Sequence, residues 1–103
     1  RVAGSLPGGK VCTCVGDVTS EEDVKRMVEA SLAFGGRLDV LVNNAAIDPG
    51  GSVTDLDPAL WRKVIDTNLT GPFLLMKATL PHMIQQGGGS IINIGSLGGI
   101  RCL

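Results

Sequence analysis

The chain has 103 residues, 44% hydrophobic and 18% charged, which is an ordinary globular composition and room for one domain with a modest core. Nine basic against ten acidic side chains give a formal net charge of -1, with no basic cluster and three aromatics, Phe34, Trp61 and Phe73, so nucleic acid and anionic membrane are set aside as partners. No apolar run approaches the roughly 18 residues of a membrane span, and the first residues do not follow a signal-peptide layout, so the expected location is cytoplasmic.

Val11 to Val15 is short, apolar and β-branched, and reads as a first strand ending at Gly16-Asp17-Val18. Cys12 and Cys14 lie two apart on it and share one face. With Cys102 the cysteine count is odd, so no disulfide framework is expected. Cys12, Cys14, Cys102 and His82 show none of the familiar ligand spacings, and no metal is expected.

Thr19, with Glu22 three residues later, forms a capping box for a helix whose first turn carries Glu21, Glu22 and Asp23. Val24, Met27, Val28 and Leu32 give it one apolar stripe, and Gly35-Gly36 stops it. The second strand, Leu38 to Val42, is apolar on both faces apart from Asp39, as suits a parallel strand covered on each side. It ends at Asn43-Asn44-Ala45-Ala46. Those residues either turn the chain or present amides and small side chains at the carboxyl end of a strand, where open α/β sheets bind ligands.

A second helix is expected from Asp57 as N-cap and Pro58 at its first position, through Leu60, Trp61, Val64 and Ile65, to about Gln86. Pro72 falls inside it. Having no N–H, Pro72 leaves the carbonyl of Asn68 without its helical donor, so the helix is either kinked for packing or the released acceptor is used. Pro81 frees the carbonyl of Lys77 in the same way. Gly87-Gly88-Gly89 then releases a third strand, Ser90 to Ile94, ending at Gly95-Ser96.

Four of these features in order, Asp17-Val18, Asn43-Asn44-Ala45-Ala46, Thr67-Asn68-Leu69 with Gly71, and Gly89 to Ser96, resemble the middle of a short-chain dehydrogenase/reductase across nearly the whole chain. The resemblance implies a partial Rossmann-like, doubly wound parallel α/β sheet of three strands and two main helices. It implies NAD or NADP as cofactor and a small alcohol or ketone as substrate. Asp17 would accept from the adenine amino group with Val18 packed on the ring, and Asn44, Ala45 and Ala46 would line the ribose region. Asn68 would lend its main-chain carbonyl to a proton-relaying water, and Ser96 would donate to the substrate oxygen. Family members pair through the long helix, which implies a homo-oligomer. Ala46 stands where the family has glycine, and Gly95 where it often has serine.

The family reaction also uses a tyrosine acid/base and a lysine a little beyond the serine, and no tyrosine occurs in these 103 residues. Neither Gly4 to Gly9 nor Gly95 to Gly99 supplies the glycine-rich phosphate turn between a strand and a helix. In the strand order of this fold class, 3-2-1-4-5-6, the strands here would be the third, fourth and fifth, leaving a gap between the first two. The expectation is therefore a central fragment of an oxidoreductase, inactive alone. The alternative is a truncated, non-catalytic module that binds a nucleotide or a subunit.

Overall fold

The computed structural model describes residues 10–100. Gly4 to Gly9 and Cys102 lie outside the described residues, so the readings placed on them have no structural counterpart. The chain forms helix α1 (Glu21–Gly35), strand β1 (Val40–Asn43), helix α2 (Pro58–Ile65), a π-turn (Asp66–Thr70), helix α3 (Gly71–Gln86) and strand β2 (Ser90–Asn93). A short 3-10 turn, Leu97–Gly99, follows. The result is an α/β arrangement built on a parallel sheet.

The helix ends follow local chemistry. Asp57 caps α2 by accepting from the Ala59 N–H at 2.8 Å, with Pro58 at the first helical position. Gly36 and Gly87 close α1 and α3 in the left-handed conformation, with φ of 80° and 94°, where a side chain would be strained. The cap of α1 is Ser20, which accepts from Asp23 N at 3.2 Å, one residue after the expected Thr19. Thr19 is instead bonded to Asp17, and that competing local contact moved the helix start.

Helical backbone runs without a break from Pro58 to Gln86, as expected, but Pro72 is accommodated by a π-turn. The Gly71 N–H reaches back to the carbonyl of Asp66, one residue further than an α-helix requires. The carbonyl of Thr67 thereby loses its usual donor to Asp66, and that of Asn68 has none because Pro72 carries no N–H.

Strands β1 and β2 pair in parallel with Val40 opposite Ser90 and Asn43 opposite Asn93. The carbonyls of Asp39 and Asn43 accept from Ser90 and Ile94 on this side. Because carbonyls alternate along an extended strand, those of Val40 and Val42 face the other edge. Leu38 precedes that edge and is taken by α3: Gln86 Oε1 accepts from its N–H at 2.9 Å, and Gln86 Nε2 donates to its carbonyl at 2.7 Å. The strand expected to begin at Leu38 begins at Val40, where its pairing with β2 starts.

The first expected strand is corrected. Among the described residues, Val11 to Val15 pair with no strand, and Val15 is 90% exposed. A β segment has no ladder without a neighbour, and β1 does not approach to serve as one; two of the three expected strands are formed. The buried apolar side chains are Val24 and Val28 of α1 and Leu74 and Met83 of α3, so the core lies between these helices. Val40, Val42 and Ile92 of the sheet are about half exposed.

Candidate cofactor site

The parallel register brings the carboxyl ends of β1 and β2 side by side, and the expected site residues gather at that end. Asn43 is buried, and its Nδ2 donates to Asn93 Oδ1 at 2.8 Å across the strands. Asn43 Oδ1 is buried without a partner among the described residues, a costly state for an amide oxygen. Asn44, Ala45 and Ala46 follow, all exposed.

A cleft of about 600 Å³ opens between three segments. Asp17 and Val18 form one wall, Ala45, Ala46 and Ile47 a second, and the face of α2 and the π-turn carrying Ala59, Lys63 and Thr67 a third. A smaller cavity of about 120 Å³ is lined by Asn43, Asn44 and Pro72 among others. Val18 borders both.

Asp17 is shaped for accepting. Its Oδ1 takes the Thr19 N–H at 2.9 Å and the Thr19 hydroxyl at 2.8 Å. Its Oδ2 has no donor among the described residues. The Thr19 amide first, and then its hydroxyl, hold the Asp17 carboxyl below its ordinary value of 3.8; Lys63 adds a weaker attraction, against slight desolvation. The group facing the cleft is a carboxylate.

Val18 is set by the long helix. A Cβ on Gly71 would stand 2.8 Å from Val18 Cγ2, so only glycine lets the helix come this close. The glycine of the Thr67-Asn68-Leu69 motif is thus a packing requirement for the cleft wall.

Asn68 lies in the π-turn, where Pro72 cannot give its carbonyl the α-helical N–H, and its side chain bonds the main chain of Ile47 immediately beyond Ala46. Ser96 lies past the end of β2, exposed, and accepts from the Gly98 N–H at 3.1 Å as cap of the 3-10 turn. Its own hydroxyl proton remains available to donate. The structure thus unites Asp17, Val18, Ala45 and Ala46 around one cleft, ties Asn68 to its rim, and leaves Ser96 outside the lining residues.

Several contributors were not found from sequence. Thr19 was read as a helix cap, although Asp-x-Thr is a local turn pattern that could have placed it on Asp17. Lys63 belongs to an ordinary charged helix face, and nothing in its spacing marks it.

The adenine and ribose end of a dinucleotide fits these residues. Among the described residues there is a carboxylate oxygen without a donor, an apolar wall at Val18, and two alanines that keep the opposite wall shallow.

A family model described as short chain dehydrogenase matches residues 2–102. The chain is 51% identical over 84 residues to trans-4-hydroxycyclohexanecarboxylate dehydrogenase of Sinomonas cyclohexanicum, covering 82% of this chain and 32% of that protein. Among solved structures it is similar to a short-chain dehydrogenase from Streptomyces avermitilis, with a TM-score of 0.84 and 34% identity over 95% of this chain and 36% of that one. It is also similar to ElxO with NADP bound, with a TM-score of 0.79 and 39% identity over 85% of this chain and 36% of that one. The chain thus spans about a third of the length of such relatives.

Proposed function

The chain belongs to the short-chain dehydrogenase family, and on that premise we propose that it is the central part of an NAD(P)-dependent oxidoreductase acting on a small alcohol or ketone. The observation that carries this reading is the cleft in which Asp17, Val18, Ala45 and Ala46 meet.

Each residue has a distinct task. Asp17 Oδ2 accepts from the exocyclic amino group of adenine, and Val18 packs on the base. Asn44 and the main chain at Ala45 and Ala46 border the ribose. A nicotinamide dinucleotide held by these residues would supply the hydride chemistry. Ser96 donates its hydroxyl to the substrate oxygen and so stabilises charge developing there. The carbonyl of Asn68, left without a helical donor, accepts from a water that carries protons away from the site.

The test is dinucleotide reduction by the full-length protein with a panel of secondary alcohols. Ser96→Ala is expected to lower kcat by about 10²-fold, with cofactor affinity unchanged. Dinucleotide binding without turnover of any alcohol or ketone would instead support a non-catalytic nucleotide-binding module.

The full-length protein is a homo-oligomer in this reading. Leu69, Phe73, Leu80 and Ile84 are exposed and follow one face of the long helix, an apolar stripe suited to a second copy. Phe73→Glu is expected to shift its sedimentation toward the monomer.

A further inference from the structure

Asp17 is held from behind by the first two turns of α1. Its N–H donates to Asp23 Oδ2 at 2.9 Å. The other oxygen of Asp23 pairs with Arg26 Nη2 at 3.3 Å. The same guanidinium donates to the carbonyl of Val15 at 2.7 Å and, through Nη1, to Cys14 Sγ at 3.1 Å. At Gly16 a Cβ would stand 2.8 Å from Met27 Sδ and 3.3 Å from Arg26 Nη2, so the segment lies directly against the helix.

Two adjoining links, Asp23 to the Asp17 amide and Arg26 to Val15 and Cys14, thus tie residues 14–17 to α1 and act with the Thr19 bonds in setting where the Asp17 carboxylate stands. The Asp23–Arg26 pair itself is a surface pair, with side chains 34% and 51% exposed, of a kind that contributes little to stability. Its effect is geometric.

We propose that Arg26 and Asp23 are positioning residues for base recognition, holding Asp17 so that its free oxygen meets the exocyclic amino group of adenine. The proposal rests on the reading of the cleft as the adenine site. It predicts that changes at Asp23 and Arg26, neither of which lines the cleft, alter which base the protein prefers.

The experiment measures binding to the full-length protein by calorimetry, with whichever of NAD+ and NADP+ binds more tightly and with its hypoxanthine analogue. The analogue carries a carbonyl where adenine carries the amino group. Wild type is expected to favour adenine by about tenfold, the worth of one hydrogen bond to a charged acceptor. Asp17→Ala removes the preference. Arg26→Ala and Asp23→Ala reduce it by at least about threefold while leaving affinity for the hypoxanthine analogue near wild type. Arg26→Lys, which keeps the charge but not the forked contact to Val15 and Cys14, falls between.

Three results overturn the proposal. A wild-type preference in the Arg26 and Asp23 variants, with Asp17→Ala still abolishing it, removes the positioning role and leaves the adenine site standing. Equal weakening of both dinucleotides in those variants assigns the pair a purely structural role. An unchanged preference in Asp17→Ala removes the adenine reading first, and the proposal with it.

Discussion

Asn68 holds the main chain of Ile47 with both ends of its amide, Oδ1 accepting from the Ile47 N–H and Nδ2 donating to the Ile47 carbonyl, each at 2.9 Å. One side chain thereby reproduces the two-bond pairing of a neighbouring strand. It fastens the loop beyond Ala46 to the turn of helix that precedes Pro72.

Asn68→Ala is expected to destabilise the full-length protein by about 1–3 kcal/mol, since it leaves both Ile47 groups without partners. Denaturant unfolding gives the loss, and faster hydrogen exchange at the Ile47 amide locates it. Asn68→Asp keeps the acceptor but turns a carboxylate toward the Ile47 carbonyl, and is expected to be no better than alanine. Wild-type exchange at Ile47 in either variant contradicts the clamp.

Gln86 makes the equivalent pair of bonds to Leu38 at the other end of β1. Gln86→Leu preserves volume and removes both bonds, with an expected cost of about 1–3 kcal/mol. Because the two clamps share no partner, the double variant Asn68→Ala with Gln86→Leu is expected to be additive within about 0.5 kcal/mol. A larger coupling would show that the helix transmits strain between them.

Gly71→Ala places a methyl against Val18 and is expected to cost about 1–3 kcal/mol by overpacking while weakening dinucleotide binding, because Val18 is also a cleft wall. Val18→Ala alone weakens binding through lost contact. Combined with Gly71→Ala it restores part of the stability, and a double-mutant cycle reads this directly. Simple additivity of the two losses would mean that Val18 and Gly71 do not touch.

The carboxyl of Asp17 titrates below its ordinary value of 3.8, chiefly through the Thr19 amide and then the Thr19 hydroxyl. A folded-state value below the unfolded one gives a contribution that is full above pH 3.8 and lost as pH falls through the lower folded value. Thr19→Val removes the hydroxyl bond and moves the titration up toward 3.8, leaving the amide bond in place. Carboxyl NMR of Asp17 in the two proteins reads the shift. An identical titration in the variant contradicts the hydroxyl contact.

Alone, the 103-residue chain is expected to oxidise no alcohol in the presence of NAD+ or NADP+. Half-exposed Val40, Val42 and Ile92 leave much of the sheet unburied, and no tyrosine is present to serve as acid and base. Turnover by the isolated chain, followed through reduced nicotinamide absorbance, would overturn this.

Local signals were legible and distant ones were not. Asp57-Pro58, Gly36 and Gly87 mark their helix ends because capping depends on residues next to the cap. Pro72 announced the free Asn68 carbonyl, since a missing N–H is a property of the residue itself; that the helix would absorb it as a π-turn depends on Gly71 reaching Asp66, which no spacing states. The Asn68–Ile47 and Gln86–Leu38 clamps join residues 21 and 48 apart in the chain, and any exposed amide is an equal candidate for such a bond. Val11 to Val15 shows the converse. Its composition favours a strand, but a strand is a relation between two segments, and composition describes only one.

Beyond Leu38, the main-chain groups of Val40 and Val42 face an edge that β2 does not use, while those of Leu38 are already bonded to Gln86. A strand aligning along that edge meets bonding groups from Val40 onward and a plug before it. A one-residue slip would turn every side chain of such a strand to the opposite face. Gln86 thus closes the edge at Leu38, and pairing along it could begin only from Val40.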